Sequence, residues 1–203
     1  LANVVLQATN DITFSTDVTT TTDVGLTAIA NNNIFLNGNL TTNFGAITLQ
    51  ADADNSGSGG VIAGGGTTLQ TQGGPVTVMG AGLQLGAIDT SAVIPGAVSL
   101  MSTGDITFDA IAATTTSADP GGDVNIVANG TVQGLSAGIT INAQGGTPGT
   151  VTIQHDGGPT NAALTIGDAA VNGTAGAIAA DSVLTSGTFN VQPTGGTDNP
   201  SPA

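Results

Sequence analysis

The chain reads as an all-β solenoid, a right-handed parallel β-helix of about seven coils, and three observations predict it. A short run of the form V-x-L-x-A recurs, beginning at Val4, Val24, Ile47, Val76, Val98, Val124 and Val151, with gaps of 20, 23, 29, 22, 26 and 27 residues. A period of that size marks a solenoid, in which each repeat covers the apolar face of the next. The composition is that of strands and tight turns: 32 of 203 residues are Gly, and Thr, Asn, Ala and Val supply much of the rest. Alternation of apolar and polar residues persists through most of the chain, and the mean hydropathy of +0.27 is too high for a disordered polymer. The rival architecture is an antiparallel β-sandwich, which turn signals roughly every eight to twelve residues also permit. A sandwich does not need self-similar coils, so the repeats favour the helix.

The unit from Ala97 to Ala118 shows how one coil is built. AVSLMS alternates with Val98 and Leu100 on one face, Thr103-Gly104 turns the chain, and DITFDAI places Ile106 and Phe108 on one face again. AIAATTTS then leads to the turn Asp119-Pro120-Gly121-Gly122, so three short strands make a triangular coil. The same plan assigns second strands to Ile12 with Phe14, Ile34 with Phe35 or Leu36, Leu83 with Leu85, and Leu164 with Ile166. Third strands run through Leu40, Leu69, Ile88, Ile111, and Ile139 with Ile141. The five Phe residues are expected mostly inward, and the segment Ala51 to Gly60 is expected to bulge at a corner. Right-handedness follows from the usual sense of crossovers in parallel sheets. The solenoid is expected over 1–172, an irregular last coil, cap or short helix over 173–192, and a Pro/Gly-rich tail over 193–203.

Charge narrows the function classes. The chain has no Lys, Arg, Cys, Trp, Tyr or Glu, and its 14 acidic residues are all Asp, for a formal charge of −14. Nucleic acid is excluded as a partner because nothing can neutralise phosphates. Anionic membrane surfaces repel the chain for the same reason, and no apolar run is long enough to span a bilayer as a helix. Leu1 opens the sequence with no Met and no signal peptide, which is expected of a segment or a trimmed mature form.

The candidate sites are few. Asp52-Ala53-Asp54-Asn55-Ser56-Gly57 has the front of a calcium loop, so Asp52, Asp54 and Ser56 are the candidate ligands and calcium the one candidate cofactor. The closing carboxylate of such a loop belongs at its twelfth position, which is Ala63, and the competing reading is a plain Gly/Asp turn. Asp105 and Asp109 lie four apart and are expected on one strand face, with Asp123 a coil later, as glycoside hydrolysis would use. The sugar-stacking and cationic residues of such a site are missing, so no catalytic residue is assigned. His155, beside Asp156 at a turn, reads as a solvated residue without a triad partner. The Gly-rich runs GGVIAGGG and QGGP lack the Lys of a phosphate loop. Three N-x-T sequons begin at Asn39, Asn129 and Asn172, and ladders of Asn or Thr along the axis are the more natural use of these residues.

The runs G-[AV]-[VI]-[TS]-[LV]-x-[AS], the phrases LQATNDITF and LQADADNSGSGG, and the coil length together resemble filamentous-haemagglutinin-type exoproteins. The resemblance covers Leu1 to about Val171, as a repeat pattern, without a counterpart of the N-terminal secretion module of that group. It implies a shaft of a two-partner-secretion adhesin: extracellular, displayed on the bacterial surface, non-enzymatic, with host, neighbouring-cell or matrix glycans as partners. Unpaired strand edges at the ends add a second expectation, end-to-end self-association into a filament or sheath.

Overall fold

The structure, a computed structural model, describes residues 2–186 and 189–191. Among these residues every strand pairing is parallel. The pairings form three sheets of eight, nine and seven strands. The chain is therefore a parallel β-helix, and the sandwich is excluded.

The first sheet holds the repeated runs. Its inward column is Val4, Leu26, Ile47, Val76, Val98, Val124, Val151 and Val183, each paired with the next. The spacings are 22, 21, 29, 22, 26, 27 and 32 residues. The second run thus starts at Leu26 rather than Val24. A slip of two residues keeps every side chain on its own face, so the pattern could not distinguish the two registers. Beyond the seven expected runs, Ser182–Ser186 adds an eighth strand to this sheet.

The second sheet stacks Ile12, Ile34, Val61, Leu83, Ile106 and Val132. The third stacks Val18, Leu40, Leu69, Ile88, Ile111, Ile141 and Ile178. Most of these side chains are fully buried, and each buried Val, Leu or Ile contributes about 1.5–3 kcal/mol. Several details differ from expectation. Leu36 faces inward and Phe35 outward, Ile139 is 46% exposed because a bulge at Thr140 turns it out, and Phe44 is 57% exposed. Only Phe14 and Phe108 are core phenylalanines among the described side chains. Ala177–Ala179 pairs with Ile139–Asn142, so the segment 174–184 continues the coil and is not a helix. The tail over 193–203 lies outside the described residues.

A glycine column forms the corner that leads into the first sheet. Gly45, Gly74, Gly96, Gly122 and Gly149 each stand two residues before an inward residue of that sheet. A Cβ on Gly74 would lie 2.2 Å from the Gly45 carbonyl oxygen, on Gly96 2.1 Å from that of Gly74, and on Gly122 2.5 Å from that of Gly96. Glycine is required there by the approach of successive backbones, not by an unusual φ. A buried threonine column serves the same corner: Thr42, Thr71 and Thr90 donate their hydroxyls to the carbonyls of Gly45, Gly74 and Gly96. Each hydroxyl is fully buried and satisfied by a carbonyl of its own coil.

Gly96→Ala is expected to destabilise the fold by about 1–3 kcal/mol, the range for overpacking. Gly65→Ala, where an added methyl meets nothing within 4 Å, is expected to be neutral within about 0.5 kcal/mol. Leu100→Ala removes a fully buried side chain and should cost about 2–5 kcal/mol. Urea melts of the three variants beside the parent check the ordering.

Candidate functional site

The aspartates lie mainly at corners, and several hold one coil to the next. Asp11 accepts from the Asn33 N–H (2.9 Å), Asp17 from that of Asn39 (2.8 Å) and Asp123 from that of Thr150 (2.8 Å). Asp105 accepts from both the N–H (2.7 Å) and the hydroxyl (2.9 Å) of Thr131. Asparagine does the same: Asn33 accepts from Gly60 N–H (3.0 Å) and Asn39 from Thr68 N–H (2.8 Å). The donors belong to the following coil, 22 to 29 residues on. At a corner the ladder is interrupted, and a short Asx side chain supplies the missing acceptor.

This arrangement bears on the carboxylate pair. The strand is only Ile106–Phe108, and Asp105 and Asp109 flank it at its two ends. Asp105 is engaged with Thr131, and Asp123 is tied to Thr150 at another corner.

The loop after Ile47–Gln50 bulges as expected and leads to the strand Gly60–Ala63. Asp52 is buried with a positive φ of 52°, and Asn55 and Gly57 follow with φ of 55° and 80°. The Gly57 N–H lies against both carboxylate oxygens of Asp52 (3.1 and 3.2 Å), and the Ser56 hydroxyl donates to one of them (2.9 Å). Asp54 accepts from the Ser56 N–H (3.2 Å). The candidate ligands are therefore gathered in one loop, but their oxygens are used by the loop's own donors. Ala63, at the twelfth position, points its methyl into the core at 6% exposure, so that position supplies no carboxylate. Among the described residues no three His or Asp side chains gather as a metal site.

Beside this loop the outer face of the first sheet carries Gln50, Met79, Met101 and Val127 in one outward column. The loop walls this column into a shallow groove, rimmed by Asp52, Asn55, Ser102 and Asn129. The neighbouring outward column is Thr27, Thr48, Thr77, Ser99, Asn125 and Thr152, an expected ladder of short polar side chains. The pattern of alternation carried no signal that the loop would flank Met79 and Met101.

His155 is not a solvated residue. It is 9% exposed, and its Nδ1 lies 3.2 Å from Nδ2 of Asn172, itself 2% exposed. Burial lowers its pKa, with the Asp156 carboxylate opposing the shift. Of the three sequons, Asn172 is buried and Asn39 holds Thr68, whereas Asn129 is exposed. The first coil carries the other unusual exposure: Val4 is 40% and Leu6 38% exposed in columns that are closed from Leu26 and Ala28 onward.

No family model, no curated protein and no solved structure matches this chain.

Asp105→Asn keeps an acceptor for Thr131 and should leave stability nearly unchanged, whereas Asp105→Ala should lower it by about 1 kcal/mol. Millimolar calcium should leave the melting temperature of the parent unchanged, because the Asp52 oxygens are already engaged. Thermal melts of the two variants, and of the parent with calcium or with chelator, check both statements.

Proposed function

We propose that the chain is a non-enzymatic structural shaft, a segment of a secreted bacterial surface exoprotein of the filamentous-haemagglutinin type. The observation that supports this reading is the unbroken first sheet, whose inward column runs from Val4 to Val183 in register. A stack of that kind transmits load along its axis through backbone ladders and aliphatic columns. Its exterior of Thr, Ser, Asn and Asp keeps it hydrated, and a charge of −14 opposes sideways association. Host, neighbouring-cell or matrix glycans are the partners this role implies.

One observation favours a second reading, a self-assembling filament or sheath subunit. Val4, Val5 and Leu6 are exposed on the first coil, and among the described residues the three strands of that coil each pair on one side only. Covering that end would close the columns.

Negative-stain imaging and sedimentation of the purified chain at neutral pH separate the two. Short monodisperse rods are the result expected of a shaft, and regular fibres of constant width would favour the filament. Assays on acidic polysaccharides should show no turnover. Turnover abolished by Asp105→Asn or Asp109→Asn would overturn the non-enzymatic reading.

A further inference from the structure

One coil departs from the apolar plan. It comprises Thr150–His155 in the first sheet, Gly173–Thr174 in the second and Ala177–Ala179 in the third. His155 pairs with Ala128, in a position that is Ala8, Ala30, Gly80 and Ser102 in earlier coils, all of them small residues. Gln133 pairs with Gly173, so Asn172 stands opposite Val132, in the column of Ile12, Ile34, Val61, Leu83 and Ile106. Thr174 pairs with Gly134, and it donates to Gly176 O (2.8 Å). The Gly176 N–H donates to Thr140 Oγ1 (2.8 Å), and that hydroxyl donates to Ser136 O (2.7 Å). Polar groups thus interrupt the aliphatic column of the second sheet, while Val151, Ile153 and Ile178 continue those of the other two, and beyond the interruption Leu164 and Ile166 resume the apolar column.

The hydrogen bonds determine the protonation state this layer needs. Asn172 Oδ1 accepts from the Val132 N–H (2.8 Å), and Nδ2 donates to Ala162 O (2.7 Å), so the amide cannot be flipped without losing both. Its Nδ2 is therefore the group facing His155 Nδ1, and Nδ1 must be the acceptor. The imidazole is then neutral with its proton on Nε2, a buried atom without a partner. Protonation would set Nδ1–H against Nδ2–H and place a cation in the core. The Asp156 carboxylate favours the imidazolium, but burial outweighs it. Asp156 adjoins the ring in sequence, Asp168 accepts from Ala170 N–H, and Asp105 is engaged with Thr131.

We propose that this coil is a proton-sensitive joint. Neutral His155 keeps Asn172 locked to Val132 and Ala162, and an imidazolium releases the excursion 156–171 and the strands beyond it while the upstream stack stays folded. Solenoids divide in this way because each coil contacts only its neighbours. The direction with pH follows from linkage. The folded state holds His155 below its ordinary pKa of about 6.5, so the released state binds more protons between the two values. The joint weakens as pH falls through about 6.5, and the loss levels off below the folded pKa.

His155 is the sole histidine, so its ring nitrogen resonances are unambiguous. Nitrogen-15 spectra of the whole protein at neutral pH should show the proton on Nε2, with a titration midpoint below the ordinary histidine value of about 6.5. Hydrogen exchange, corrected for its intrinsic pH dependence, should accelerate over 156–186 between about pH 7.5 and 5, by about tenfold per unit of depression. Exchange over 26–128 should stay unchanged. His155→Ala, which installs the residue of the preceding coil, should abolish the regional effect. A proton on Nδ1, a midpoint at or above about 6.5, or the same acceleration in His155→Ala would each overturn the proposal. The spectra of the unaltered protein decide the matter even if the variant does not fold.

Discussion

Register is the constraint on which the rest of this molecule depends. Successive strands lie about 4.8 Å apart, and each residue rests on its counterpart in the coil before. A position therefore packs mainly against copies of itself, and whatever suits one coil must suit its neighbours. Val and Ile fill the first column because branched side chains stack on themselves in a pleated sheet. Gly45, Gly74 and Gly96 recur because any Cβ there would strike the carbonyl of the preceding coil. Thr42, Thr71 and Thr90 recur because their hydroxyls satisfy the carbonyls of that same corner.

The same constraint gives a physical sense to the unusual charge. With no Lys or Arg in the chain, carboxylates find no cationic side chains, and they serve instead as acceptors for backbone N–H groups. That task suits a side chain with a single methylene, which reaches the next coil at a corner without extra rotamers to order. Asp11, Asp17, Asp105 and Asp123 all do this, and Asn33 and Asn39 do it without charge. Glutamate has no equivalent place in such a corner, and the chain contains none. The acidic residues thus read as architecture before they read as chemistry.

Against this regular background the departures stand out. The loop 52–59 lengthens one coil and walls a groove over Met79 and Met101. The excursion 156–171 sends Leu164–Ile166 into the second sheet one layer ahead of Gly173–Thr174. Asn172 then brings a polar group into an apolar column, and His155 a large polar ring into a column of small residues, within a single coil. Polar layers that hydrogen-bond completely can specify a structure, and one left with an orphaned donor is a point of weakness.

By itself the sequence determined the class of fold, because a repeated V-x-L-x-A run with period-two alternation has one economical solution, a stack of parallel coils. It also marked the long corner loop and most of the columns, since inward residues alternate with Thr, Ser and Asn. It did not determine the register at Leu26, because a shift of two leaves the pattern intact, nor the outward turn of Ile139, which follows from a bulge. His155 read as solvated because its partner Asn172 is 17 residues away and joins it only when the excursion closes. These were decided by tertiary structure alone: local patterns say which side of a strand faces inward, whereas which side chains meet across a coil depends on how far the intervening chain travels before it returns.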